Sequence, residues 1–66
     1  MRITVNGESR ELPSTLSVAS LLGQLGIDPR RAAVEINRRI LRRAEFDAVR
    51  LAEGDALEVV HFVGGG

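Results

Sequence analysis

One stretch of this sequence has a helical apolar period, and it is short. Val18, Leu21, Leu22 and Leu25 stand at i, i+3, i+4 and i+7, the stripe of a single amphipathic helix. Ser14, Thr15 and Ser17 are N-cap candidates, with Ser17 the best placed, because a serine hydroxyl accepts an otherwise unpaired N–H of the first turn. Gly26 is placed to close the helix in a left-handed conformation. Gly23 lies inside the helix and weakens it by about 1 kcal/mol relative to alanine. Close packing against a sheet is one account of that glycine. A helix with one apolar stripe needs a second layer to bury it, and the flanking sequence must supply that layer.

The flanking segments read as strands. Arg2 to Val5 alternates, with Ile3 and Val5 on one face. Asn6-Gly7 is a strong hairpin signal, since both residues tolerate positive φ. Glu8 to Leu12 returns as a polar second strand that suits an edge, and Pro13 ends it. Asp28-Pro29 is a turn. Ala33 to Ile36 is a third strand with Val34 and Ile36 inward, Asn37-Arg38-Arg39 turns the chain, and Ile40-Leu41 is a short fourth strand. Arg42 to Leu51 reads as irregular, with one helical turn near Ala44 to Asp47 and with Phe46 in the core. Glu53-Gly54-Asp55 turns into the last strand, Ala56 to Val63. The order predicts an α+β fold, a mixed four- to five-stranded sheet with one main helix packed across one face. The first and last strands suit a parallel central pair.

Composition removes whole classes of activity. Sixty-six residues make one domain with a small core. No cysteine is present, so there is no disulfide, thiolate metal site or thiol nucleophile. A single histidine, His61, leaves the usual zinc constellations without ligands; its place in a strand suits a packing or rim residue. Nine arginines balance nine acids, which argues against nucleic acid as the main partner. The absence of lysine fits a GC-rich codon usage. No stretch approaches the roughly 20 apolar residues that span a membrane, and the polar N-terminus does not read as a signal peptide, so a cytoplasmic protein is expected.

The last residues are the sharpest functional signal. Gly64, Gly65 and Gly66 follow directly on the apolar run that ends at Val63. Glycine has no Cβ, so such a segment can thread a narrow channel. The expected organisation is a folded unit over 1–63 and a flexible tail over 64–66, with Gly66 presenting an unhindered carboxylate. A carboxylate is a poor electrophile, and the sequence has no phosphate-cradling Gly-x-x-x-x-Gly-Lys loop. Activation must therefore come from a partner that holds the tail beside its nucleotide.

The Ala33-Val34-Glu35-Ile36-Asn37 segment, the Glu53-Gly54-Asp55 turn and the ending His61-Phe62-Val63-Gly64-Gly65-Gly66 resemble the ThiS family. These are ubiquitin-like β-grasp sulfur carriers of thiazole synthesis for thiamine, and the likeness covers essentially the whole chain. The resemblance implies that an adenylating, ubiquitin-activating-like enzyme uses ATP on the terminal glycine. Sulfur from a donor system then gives a thiocarboxylate, which a thiazole synthase consumes. Gly65 and Gly66 match the family ending, with Gly66 carrying the reactive group; Gly64 is one glycine more. It implies no catalytic residue and no bound cofactor or metal in the carrier itself. Rival readings are a carrier for molybdopterin or cysteine synthesis, a ubiquitin-like tag, and a non-covalent β-grasp interaction module.

Docking surfaces follow from strand alternation. If Leu57 and Val59 face the helix, Val60 and Phe62 point to the open sheet face and form an apolar patch. Phe62 folding over the sheet edge is an equal alternative. Glu53, Asp55 and Glu58 are acidic docking candidates because they precede the tail closely in sequence. The cluster Arg30, Arg31, Arg38, Arg39, Arg42, Arg43 and Arg50 reads as a solvated surface.

Overall fold

A computed structural model describes residues 1–62. Strand β1 (Arg2–Val5) runs into β2 (Glu8–Glu11), helix α1 (Val18–Gln24) follows, and β3 (Ala32–Ile36), β4 (Arg39–Leu41) and β5 (Ala56–His61) complete the order. The strands form one sheet in the order β2-β1-β5-β3-β4. Strand β5 is central, parallel to β1 and antiparallel to β3. The parallel pair expected at the centre is therefore present, and polar β2 lies on an edge.

Turn chemistry fixes both hairpins. Asn6 and Gly7 sit at φ 52° and 81°, and Val5 pairs with Glu8 across them. The second hairpin has the same two-residue form, with Asn37 and Arg38 at φ 49° and 69° and Ile36 opposite Arg39. Arg39 thus belongs to β4 and not to the turn. An arginine in the left-handed region is disfavoured by roughly 1–2 kcal/mol, so neighbouring contacts must hold it there. Asn37 supplies some: its Nδ2 donates to Asp55 at 2.9 Å and its Oδ1 accepts the Ala56 N–H at 3.0 Å.

Helix α1 forms as its stripe predicts. Ser17 caps it, its hydroxyl oxygen accepting the Ser20 N–H at 3.1 Å. Val18, Leu21 and Leu22 are buried against Ile3 and Val5 of β1, Val34 and Ile36 of β3, and Leu57 and Val59 of β5. Leu25 is the C-cap and only half-buried, and Gly26 follows at φ 74°. Gly23 is exposed, and a Cβ there would meet nothing within 4 Å. The close-packing account of Gly23 is thereby overturned, because the residue lies on the solvent side of the helix. Asp28 caps a 3₁₀ turn at Pro29–Arg31, and a second 3₁₀ turn occupies Arg43–Glu45, slightly before the expected position. Phe46 is buried, closing one end of the core. The observed last strand ends at His61; Val63, placed in it by the sequence, lies outside the described residues.

Asn6 does more than turn the chain. Strand β1 pairs with β5 only at Thr4–Ala56 and Val5–Leu57. Beyond that point the Asn6 amide takes over: Nδ2 donates to the Val59 carbonyl at 3.1 Å, and the Val59 N–H donates to Oδ1 at 2.8 Å. One side chain satisfies both backbone groups of a strand residue, which would otherwise be costly to leave without partners. Asn6→Gly keeps the turn but removes the clamp, and is expected to cost about 1–3 kcal/mol in urea denaturation. Gly23→Ala is expected to do the opposite, stabilising by roughly 0.5–1 kcal/mol, since the added methyl clashes with nothing.

Candidate functional site: the open sheet face and the end of the last strand

Alternation along β5 divides its residues between two environments. Leu57 and Val59 are buried under the helix, while Val60 and Phe62 are 54% and 59% exposed. Phe62 therefore stands on the uncovered side and does not fold over the edge into the core. Ile40 of β4, 74% exposed, lies on the same side, because its partner Glu35 is in turn paired with Glu58. A shallow hollow on this face is lined by Ala33, Glu35, Ile40, Glu58 and Val60. The sequence reading missed Ile40: a three-residue strand has too little alternation to show its face, and only the register with Glu35 reveals it.

The acids separate into two groups. Glu58 belongs to the open face beside Val60. Glu53 and Asp55 stand before the start of β5, whose six residues at about 3.3 Å each place them roughly 20 Å from its far end. The sequence reading set them near the tail; an extended strand carries them to the opposite end of the sheet. Their carboxylates also work inside the chain: Glu53 accepts the Arg2 N–H at 3.0 Å, and Asp55 accepts the Ala52 N–H at 2.7 Å and the Asn37 amide.

The end of β5 that leads toward residue 63 is basic. The Phe62 N–H donates to the Arg31 carbonyl at 2.8 Å, extending the ladder beyond the Ala32–His61 pair. Arg30 sits beside it but is engaged with Asp28, which its guanidinium holds below the usual carboxylate range. Arg42 and Arg43 follow β4 and reach the same end of the sheet. His61 is half-buried at this rim. The glycines themselves, Gly64, Gly65 and Gly66, lie outside the described residues.

No helix among the described residues is long and apolar enough to cross a membrane. Nor, among those residues, do three or more His, Asp or Glu side chains gather where they could hold a metal ion.

The ThiS family model matches residues 3–66. The chain belongs to the ThiS family. The crystal structure of the thiamine biosynthesis protein (ThiS) from Geobacter metallireducens superimposes with a TM-score of 0.84 and 38% identity, each chain covered in full. The ubiquitin-like β-grasp fold expected from the sequence is thus the fold of this ThiS-family chain. The sulfur carrier protein ThiS of Bacillus subtilis is 35% identical over 52 residues, 79% of each chain. A thiazole synthase of Paramagnetospirillum magneticum is 42% identical over 66 residues, all of this chain but 20% of that protein. The chain therefore spans about a fifth of that relative, and the remaining four-fifths have no counterpart in it.

If the two sides of β5 differ as described, substitutions should separate cleanly. Leu57→Ala is expected to cost about 2–5 kcal/mol, whereas Ile40→Ser and Phe62→Ser should each stay within about 0.5 kcal/mol by chemical denaturation.

Proposed function

We propose that this ThiS-family chain carries sulfur on the carboxylate of Gly66 for thiazole formation in thiamine biosynthesis. It is a protein cosubstrate in this reading and not a catalyst. The observation that carries it is the family match across residues 3–66, which takes in all three glycines. The named function of the Bacillus subtilis relative supports it. So does the thiazole synthase relative, in which a domain of this kind shares one chain with other sequence.

The chemistry follows from what the chain lacks. With no cysteine, it cannot hold sulfur as a persulfide, so the carrier atom must be the terminal carbonyl carbon. An activating enzyme supplies ATP. The Gly66 carboxylate attacks the α-phosphorus, pyrophosphate leaves, and an acyl adenylate forms. A sulfur nucleophile from a donor system then displaces AMP and leaves a thiocarboxylate. The thiazole synthase receives sulfur from that group: the acyl carbon–sulfur bond breaks as oxygen, supplied in the net reaction by water, takes its place, and the Gly66 carboxylate is regenerated. Gly64 and Gly65 lead the reacting carbon into each partner's channel, where a side chain would obstruct passage. Ordering such a segment costs on the order of 1–2 kcal/mol per residue, so the folded body must contribute binding contacts. Exposed Val60 and Phe62, just before the glycines, are the nearest apolar groups that can do so.

Incubation with the activating enzyme from the same genome, ATP and a sulfur donor should raise the intact mass by one oxygen-for-sulfur exchange. A chain lacking Gly65 and Gly66 should fold as before and show no mass gain. Equal loading of the shortened chain would refute the assignment.

A further inference from the structure

The amide that joins β1 to β5 is also the amide in this chain best placed to react with its own backbone. In an asparagine, the backbone nitrogen of the next residue can attack the side-chain carbonyl carbon and expel ammonia. A Cβ on that next residue hinders the approach, and glycine has none. The chain contains two asparagines; Asn6 precedes Gly7, whereas Asn37 precedes Arg38. Gly7 is exposed, and its N–H has no hydrogen-bond partner among the described residues. The attacking nitrogen is therefore open to water, which takes its proton.

The carbon under attack is not free. Asn6 Nδ2 donates to the Val59 carbonyl at 3.1 Å, and Oδ1 accepts the Val59 N–H at 2.8 Å. These bonds hold the amide toward β5, on one side of β1, while Gly7 leads the chain into β2 on the other side. Ring closure needs the side chain to swing onto the Gly7 nitrogen, to a reacting distance of roughly 3 Å. Both clamp bonds must break first.

We propose that Asn6 is a modification site that reacts when the β1–β5 seam opens, and that its product marks the chain irreversibly. In the open state the Gly7 nitrogen bonds to Cγ, the Cγ–Nδ2 bond breaks, and ammonia leaves with the proton that the nitrogen gave up. A cyclic imide remains. Water then opens the ring at either carbonyl and leaves a carboxylate, so water is consumed, ammonia is released and nothing is oxidised or reduced. Opening at the side-chain carbonyl gives aspartate. Opening at the main-chain carbonyl gives isoaspartate, which lengthens the backbone of a two-residue turn. Neither product rebuilds the clamp. A carboxylate accepts the Val59 N–H but has no N–H for the Val59 carbonyl, and its second oxygen repels that carbonyl. The seam consists of two residue pairs and this amide, so an opened chain that reacts cannot close as before. The site is independent of the sulfur-carrier reading.

The test holds the full chain in buffer and in guanidinium chloride above its unfolding transition, with tryptic digestion at intervals. Asn6 and Asn37 then fall in separate peptides, Ile3–Arg10 and Ala32–Arg38, and mass spectrometry reads the amide-to-acid exchange in each. In denaturant Asn6 should convert well before Asn37. In buffer Asn6 should convert at least about tenfold more slowly than in denaturant. Hydrogen exchange of the Val59 N–H, whose acceptor is Asn6 Oδ1, reports clamp opening directly. Its protection should match the slowing at Asn6 within about threefold. Converted chain returned to buffer should unfold at a lower denaturant concentration than the parent, and so should Asn6→Asp. The proposal is overturned if Asn6 converts as fast in buffer as in denaturant, or if Asn37 converts first. It is equally overturned if Asn6 stays slow while the Val59 N–H exchanges freely, or if converted chain unfolds together with the parent.

Discussion

The contact between β1 and β5 is two residue pairs long, and the Asn6 amide completes it. The rest of the architecture depends on that short parallel seam. It joins the N-terminal hairpin to the strand pair β3–β5, and it brings Ile3 and Val5 beside Leu57 so that α1 has a continuous apolar floor. In a domain this small few interactions are redundant. The clamp is efficient because a single side chain reproduces both halves of a backbone pairing. It can do so only from a residue that accepts positive φ, since the chain is already reversing at that point.

One helix covers one face, and that asymmetry creates the site. The same alternation that buries Leu57 and Val59 must expose Val60 and Phe62. Burying the second face would need another layer, and the one α-helix among the described residues lies on the opposite side. The uncovered face is thus a consequence of economy in the fold, and the strand that displays it is also the strand that leads to the glycines. The exposed Glu58 and Val60 and the end of β5 at His61 share one continuous strand.

Local signals in the sequence translate well where structure is local. The Asn6-Gly7 hairpin, the Ser17 cap, the Val18–Leu21–Leu22 stripe and the inward pair Val34 and Ile36 all stand where residue chemistry places them. Nonlocal relations do not translate. Glu53 and Asp55 precede the tail by few residues, yet an extended strand makes few residues a long distance. Ile40 gains meaning only from its register with Glu35, and Arg31 and Arg42 come to the same end of the sheet through β3–β4 pairing. Asn6 shows its turn role in the sequence and conceals its clamp, because Val59 is 53 residues away. Gly23 invited a packing explanation that the solvent side of α1 removes.

The polar edge strand has one more consequence. All four residues of β2 are exposed, and Glu8, Arg10 and Glu11 place charge of both signs along the sheet margin. A bare apolar face next to an open, apolar edge would invite sheets to add end to end and grow into fibrils. Charging that margin discourages such growth. It lets the apolar groups of the open face stay exposed without a neighbouring sheet adding at that edge.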